Sequence, residues 1–215
     1  PIEQFATIVS GVTDISYAAG STIVVVADRA GQGEWQGEEA LLLLKQLSQL
    51  GRSTIVLGAG ASQREIVERG VREHRYSSQR LFGSAPEAFA AALRSLIALE
   101  TDGSVKDIAL TVLGVPPRDT VIPWQTVTVA GFAATDVLRE PVRRRIEMRL
   151  ALLWPPGPYA LATAAAEAVS SIAGESRRTS SCFVAPTGIG DRQYRAAALP
   201  VRLGPDGAVR VELPE

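Results

Sequence analysis

The run Ser21-Thr22-Ile23-Val24-Val25-Val26-Ala27 is followed by Glu38-Glu39-Ala40-Leu41-Leu42-Leu43-Leu44-Lys45-Gln46-Leu47-Ser48-Gln49-Leu50-Gly51 and then by Ser53-Thr54-Ile55-Val56-Leu57. Thr22–Val26 is an unbroken β-branched run, the pattern of a strand covered on both faces. Asp28–Gly37 is rich in glycine and polar residues and predicts a loop. Across Glu38–Leu50 the leucines make a wide helical face. Gly51 suits the C-cap, where a positive φ costs glycine little. Ser53–Leu57 is a second buried strand. Strand, helix and strand in this rhythm predict an α/β protein.

The same rhythm continues outward. Ser62-Gln63-Arg64-Glu65 fits a capping box, in which the hydroxyl and the carboxylate satisfy free amides at a helix start. That helix is expected to run to about Glu73. Ser84-Ala85-Pro86-Glu87 repeats the device, with proline in the first turn, where its missing N–H is harmless. The helix it opens carries Phe89, Leu93, Leu96 and Ile97 on one side.

Beyond residue 104 the character changes. Val105–Leu113 predicts a strand, Pro116-Pro117 a rigid break, and Thr120–Val129 extended chain. A helix is expected over Pro141–Leu153 and an alanine-rich one over Ala160–Ala173. Ser180–Ala185 and Ala196–Leu203 read as strands. Gly204-Pro205-Asp206-Gly207 reads as a tight turn returning through Ala208–Leu213. The change places a domain boundary between 1–103 and 104–215.

Composition narrows the function classes. The chain has 215 residues with 22 basic and 23 acidic side chains, so no basic excess draws it to nucleic acid. Its longest apolar runs, such as Ile23–Ala27 and Ala40–Leu44, are far too short for a membrane span. Cys182 has no second cysteine to pair with, which fits a reducing cytoplasm. One cysteine and one histidine leave only carboxylates for a metal, so no metal site is expected. The opening Pro-Ile-Glu-Gln shows no signal-peptide pattern. An N-terminal proline fits either removal of an initiator methionine or a cut.

Read together, the segments resemble the malate/lactate dehydrogenase family. Val9-Ser10-Gly11-Val12-Thr13-Asp14 with Ala19–Val26 is similar to the family's T-G-T-N-D-Y…A-D-S-D-V-V-V. Gln79-Arg80-Leu81-Phe82-Gly83-Ser84 resembles N-R-V-I-G. Val105-Lys106-Asp107-Ile108 through Val112-Leu113-Gly114 resembles V-K-D-V…V-L-G. Asp119-Thr120-Val121-Ile122-Pro123 is similar to D-T-M-V-P, and Val129-Ala130-Gly131 to V-A-G. Tyr159-Ala160 and Ala164-Ala165-Ala166-Glu167 resemble the late alanine helix, and Pro200-Val201-Arg202-Leu203-Gly204…Gly207 the terminal hairpin. The resemblance implies a partial Rossmann-like parallel sheet with helices, followed by a mixed α+β dehydrogenase-like C-terminal domain. It also implies NAD, but only for an upstream half. The family's G-x-G-x-x-G turn, which holds the pyrophosphate, has no counterpart here. Gly31-Gln32-Gly33 follows a strand, but the third glycine is misplaced. No cofactor is therefore expected in this chain.

The catalytic positions implied by the resemblance hold other residues. The family reduces a 2-oxo acid with a histidine proton donor, an aspartate that orients it, and an arginine that grips the carboxylate. The histidine falls at Pro116, the aspartate at Phe89 and the substrate arginine at Ala92. The mobile-loop arginines fall in Gln32–Glu38, which has no arginine, and the family's Asn-Pro falls at Ala61-Ser62.

Replacements are few. His74 ends a predicted helix, where capping is its first reading and catalysis its second. Arg94 reads first as a structural or interface residue and second as a substrate ligand. Arg118 flanks the missing histidine and is a second candidate for a carboxylate. Cys182 reads as an inert core thiol. Arg143–Arg145 read as a solvated helix face, and Trp35, Trp124 and Trp154 form no stacking series.

The expectation is a catalytically degenerate member of the fold, a homo-oligomeric binding or assembly module with a small carboxylate ligand at Arg94 or Arg118. The alternative is an NAD-dependent 2-hydroxy acid oxidoreductase whose cofactor-binding half lies outside the chain. A different function on the same scaffold is the third reading.

Overall fold

The structure, a computed structural model, describes residues 10–29, 31–51, 53–174, 178–186 and 195–213. Its first half is a repeating strand–helix unit. Strands β1 (Ile23–Val26), β2 (Ile55–Gly58) and β3 (Leu81–Gly83) are joined by helices α1 (Gly37–Leu50) and α2 (Arg64–His74). The strands run parallel, in register from Ile23↔Ile55 to Val26↔Gly58 and from Val56↔Leu81 to Gly58↔Gly83. Alternate side chains then face opposite layers. Val26, Val56 and Leu81 meet Leu41, Leu44, Leu47, Val67 and Val71 of α1 and α2. Ile55, Leu57 and Phe82 face the other way, in one cluster with Ala165, Ala168 and Ile172. Each fully buried leucine or valine adds roughly 1.5–3 kcal/mol of transfer free energy. Gly70 lets α2 lie close on the sheet, because a Cβ there would stand 2.3 Å from Leu81 Cδ2.

The second half adds antiparallel strands to the same sheet. Helix α3 (Ala85–Thr101) leads to β4 (Ile108–Ala109), β5 (Leu113–Val115), β6 (Asp119–Val121), β7 (Thr128–Val129) and β8 (Phe132–Ala133). Short α4 (Ala134–Val137), α5 (Glu140–Met148) and long α6 (Pro158–Gly174) follow, then β9 (Thr179–Val184), β10 (Ala197–Gly204) and β11 (Gly207–Arg210). The eight-stranded sheet runs β1-β2-β3-β9-β10-β5-β6, with β11 also on β10. β4, β7 and β8 form a separate three-stranded sheet. The large sheet therefore continues across the change in sequence character near residue 104. The main core of this half packs Phe89, Leu93 and Ile97 of α3 with Ile108, Leu110, Val112, Trp124, Val127 and Ile146.

Several local expectations change. Among the described residues β1 stands at the end of the sheet, and Val25 is 42% exposed while only Val26 of the four is buried. A continuous apolar run does not separate an edge from a centre. Neither capping box forms: Gln63 and Ser84 stand at the N-caps of α2 and α3 without a side-chain bond. The expected strand Val105–Leu113 is broken into a 3-10 turn (Val105–Asp107), β4 and the first residue of β5. The expected helix Pro141–Leu153 changes after Met148 into a 3-10 turn, Leu150–Leu153. Among the described residues no helix is long and apolar enough to cross a membrane.

Candidate functional site

The C-terminal ends of β1, β2 and β3 and the β5–β6 hairpin hold the positions singled out by sequence. The loop after β1 folds down onto the turn after β2. Arg29 stacks over the Trp35 ring at 4.4 Å and pairs with Glu39 at 2.9 Å. Glu34 reaches across, and its carboxylate accepts Ala61 N–H at 2.8 Å and Ser62 N–H at 2.6 Å. These are the positions to which the resemblance assigns the family's Asn-Pro. Gly60 N–H is met by Gln63 Oε1 at 3.0 Å, and Gln63 Nε2 donates to Val26 C=O at 3.2 Å. The free amides ahead of α2 are thus filled by the chain's own carboxylate and amide. Glu34 had no local sequence signal, since its partners lie 27 and 28 residues away.

Phe89, to which the resemblance assigns the family's aspartate, is fully buried. Its ring meets Trp154 edge-on, with centroids 5.8 Å apart, and Trp154 meets Phe183 likewise at 6.0 Å. Edge-to-face pairs of this kind add about 0.5–1.5 kcal/mol beyond area burial. Pro116 is buried and Ala92 half-buried. The hairpin carrying Pro116 is held close at Gly114, whose φ is +89° and whose Cβ would stand 1.9 Å from Asp119 C=O. No proton-transfer group stands at these three positions.

Arg94 does not stand free. It is 5% exposed, and Nη2 donates to Glu87 Oε1 at 2.6 Å while Nη1 donates to Leu110 C=O at 3.2 Å. Glu87 Oε2 accepts Ser181 N–H at 2.7 Å, and Ser181 Oγ accepts Val112 N–H at 3.0 Å. Arg178 reaches Glu87 and Glu167 at 3.3 and 3.6 Å. This network ties α3 to β9 and to the segment after β4. It forms one wall of a cavity of about 750 Å³, also lined by Lys106, Asp107, Thr126 and Glu167. Glu87 was readable only as a first-turn acid. Its turn into the core, beside a buried arginine, depends on β9, 94 residues away.

The other candidates are dispersed. Arg118 is exposed in the β5–β6 turn, has no carboxylate partner among the described residues and does not line the Arg94 cavity. His74 ends α2 on the opposite side of the sheet, near the N-terminal ends of β2 and β3. Cys182 is buried, and burial, with Glu87 adding to it, pushes its thiol well up. A protonated, buried thiol is a poor nucleophile. Arg144 and Arg145 are exposed and pair with Glu140 and Glu100. Trp124 lies in the core of the second half, where its Nε1 donates to Glu147 at 2.6 Å. Among the described residues no cluster of three or more histidine, cysteine or carboxylate groups is placed to hold a metal.

A parallel sheet extended by long antiparallel strands, with helices on both layers, defines an α/β class with a mixed C-terminal half. The chain has a malate/lactate dehydrogenase-like fold. It superposes on malate dehydrogenase from Aeropyrum pernix with a TM-score of 0.80 at 17% identity, covering 96% of this chain and 72% of that one. Plasmodium falciparum malate dehydrogenase in complex with NADH gives 0.81 at 16%, covering 95% and 72%. Lactate dehydrogenase from Cryptosporidium parvum, complexed with lactic acid and nicotinamide adenine dinucleotide, gives 0.77 at 14%, covering 95% and 73%. At these identities the likeness is one of fold. No family model matches the sequence, and no curated protein matches it.

Proposed function

We propose that the chain is a catalytically degenerate protein on the malate/lactate dehydrogenase scaffold, acting as a non-catalytic binding or assembly module. The carrying observation is Phe89, which stands at the aspartate's position and is locked into an aromatic core with Trp154 and Phe183. A phenyl ring neither orients an imidazole nor carries charge, Pro116 has no proton to give, and Ala92 cannot pair a carboxylate. Loss of one proton-transfer partner costs about 100- to 10,000-fold. Loss of the whole set removes the reaction.

In this reading residues 1–103 are the retained part of a nucleotide-binding unit and 104–215 the dehydrogenase-like unit joined to it. The module is cytoplasmic, its one thiol buried, and homo-oligomeric. A small organic acid, if held, meets Arg118, since Arg94 is bonded to Glu87. The test is NADH oxidation by purified chain with oxaloacetate or pyruvate. No rate above buffer is expected, and sustained turnover that Arg118→Ala abolishes overturns the proposal.

One observation favours the second reading, an NAD-dependent 2-hydroxy acid oxidoreductase with its cofactor half outside this chain. The solved dehydrogenases are longer, and this chain covers 72% of the Aeropyrum enzyme. That reading requires the cleft residues to act once NADH is held. Under it, a longer product of the same reading frame binds NADH with a saturable thermal shift and turns over a 2-oxo acid. Under the first, it does not turn over.

A further inference from the structure

We infer that the elbow between α2 and β3 is a binding site for a small phosphoryl compound, independent of the dehydrogenase-like cleft. The pocket there has a volume of about 570 Å³ and is lined by His74, Arg75, Arg80, Tyr76 and Ser77, with Ser48 on the α1 side. Among the described residues no carboxylate lines it. It sits where β2 and β3 begin, whereas Gly58 and Gly83 end those strands at the other edge.

The charges of the elbow do not cancel locally. Arg75 and His74 have no acidic partner among the described residues, and Arg80 donates only to Ser53 C=O. The nearest acid in sequence, Glu73, faces away into bonds with Arg69 at 3.0 Å and Arg72 at 2.8 Å. The C-terminal ends of α1 and α2 both point to this region, and each carries roughly half a negative charge. Two guanidinium groups outweigh those two helix ends by about one unit even with a neutral imidazole. Capping of α2 therefore does not use up the cations. The last turn is already closed through backbone, with Tyr76 N–H on Gly70 C=O at 3.2 Å.

The geometry also selects the ligand class. A phosphomonoester is close to doubly charged at neutral pH and offers three strong acceptor oxygens. His74, Arg75 and Arg80 supply three donors among the residues that line the pocket. Ser77 Oγ accepts Gln79 N–H at 3.3 Å, which leaves its proton free to donate. Tyr76 is turned the other way, its hydroxyl bonded to Leu44 C=O at 2.8 Å, and supplies an apolar floor. A single carboxylate offers two oxygens to these three donors, one fewer than a phosphomonoester.

The chain has one histidine, so its ring resonances report on this pocket alone. The experiment titrates inorganic phosphate into the intact chain at constant ionic strength and follows the His74 ring by NMR. A saturable shift is expected. Arg75→Asn removes the charge while keeping a residue that tolerates the left-handed backbone at φ 55°. It is expected to weaken phosphate binding about tenfold, one lost charge-assisted bond, with an unchanged melting temperature in phosphate-free buffer. Arg118→Ala is expected to bind phosphate as the parent does. The inference is overturned if the shift is linear and matched by chloride, if Arg75→Asn binds equally well, or if Arg118→Ala abolishes binding. Tighter binding of citrate than of phosphate overturns the phosphoryl assignment.

Discussion

Phe89 is fully buried between Trp154 and the α3 core, so truncation leaves a cavity that the edge-to-face ring cannot fill. Phe89→Ala is expected to cost about 3–5 kcal/mol in urea unfolding. Phe89→Asp is expected to cost more, because an unpaired carboxylate then enters an apolar core. It does not create an acid–imidazole pair, since the chain's one histidine, His74, lies near the N-terminal ends of β2 and β3. A cost near zero for either variant would show that the ring is not a core residue. The Glu87–Arg94 pair behaves differently. Arg94→Met leaves Glu87 buried with Ser181 N–H and the more exposed Arg178, and is expected to cost about 3–5 kcal/mol. Adding Glu87→Leu to Arg94→Met removes the stranded charge and is expected to recover part of that loss, read as a non-additive double-mutant cycle. At this scale the sequence shows residue types and not their distant partners. Phe89 in an apolar helix stripe was legible as core. Its contact with Trp154 needs the chain to return 65 residues later, and no periodicity carries that.

Among the elements, α1 and α2 are joined by one guanidinium in addition to their shared apolar core. Arg69 of α2 pairs with Glu38 of α1 at 3.0 Å, and with Glu65 and Glu73 of its own helix at 3.7 and 3.0 Å. Arg69 and Arg72 hold the Glu73 carboxyl down to about 2, from an ordinary 4.5. A carboxyl whose folded value is depressed stabilises the fold above its unfolded value. That contribution is present above 4.5 and is lost as the pH falls toward about 2. Glu73→Gln is therefore expected to lower the melting temperature at neutral pH, with the difference closing through that acid window. A difference that stays constant across the window would show that the charge is not what matters. The exposed position keeps the effect small. Glu34 makes a second such tie, between the β1–α1 loop and the turn after β2. Glu34→Ala frees Ala61 and Ser62 N–H, and is expected to raise amide hydrogen exchange at both positions without unfolding the sheet. β1, α1 and β2 were legible because apolar runs, leucine spacing and Gly51 agree with one another, whereas β3, three residues long, carries no such run. The capping boxes were misread because Ser62 and Ser84 have competing partners. Ser62 N–H goes to Glu34, and Ser84 Oγ donates to Gly58 C=O at 3.3 Å. Local motifs do not record distant acceptors. The break in Val105–Leu113 was hidden for a related reason, since a β-branched run carries no sign of where its ladder partner ends.

For the molecule as a whole, the sheet crosses the sequence boundary near residue 104, so residues 1–103 and 104–215 share strands β3 and β9 at one junction. The two halves are expected to unfold together in denaturant, with fluorescence and far-ultraviolet dichroism giving coincident transitions. The outer layer on the α3 and α6 side is less complete. Between those helices lies a groove of about 230 Å³ lined by Ala88, Ala91, Ala160 and Ala164, with Tyr159 at its end. Tyr159 is 89% exposed, and Leu99 of α3 is 77% exposed. An exposed tyrosine beside a shallow apolar groove is a surface that a second copy covers well, since aromatic anchors seated in small-residue grooves dominate interface energetics. The proposed homo-oligomer is expected to use this surface. Tyr159 lies at the start of α6, outside the buried face formed by Leu161, Ala164, Ala165 and Ala168, so changing it leaves the fold intact. Sedimentation velocity is expected to show a dimer or larger species for the parent chain, and a shift toward monomer for Tyr159→Asp. A desolvated aromatic anchor is worth about 2 kcal/mol or more, which corresponds to at least a thirtyfold weaker association, by order of magnitude. The melting temperature measured at low concentration, where the parent is also monomeric, is expected to be the same for both. A parent chain that sediments as a monomer at all accessible concentrations would remove the assembly part of the proposal and leave only the binding part.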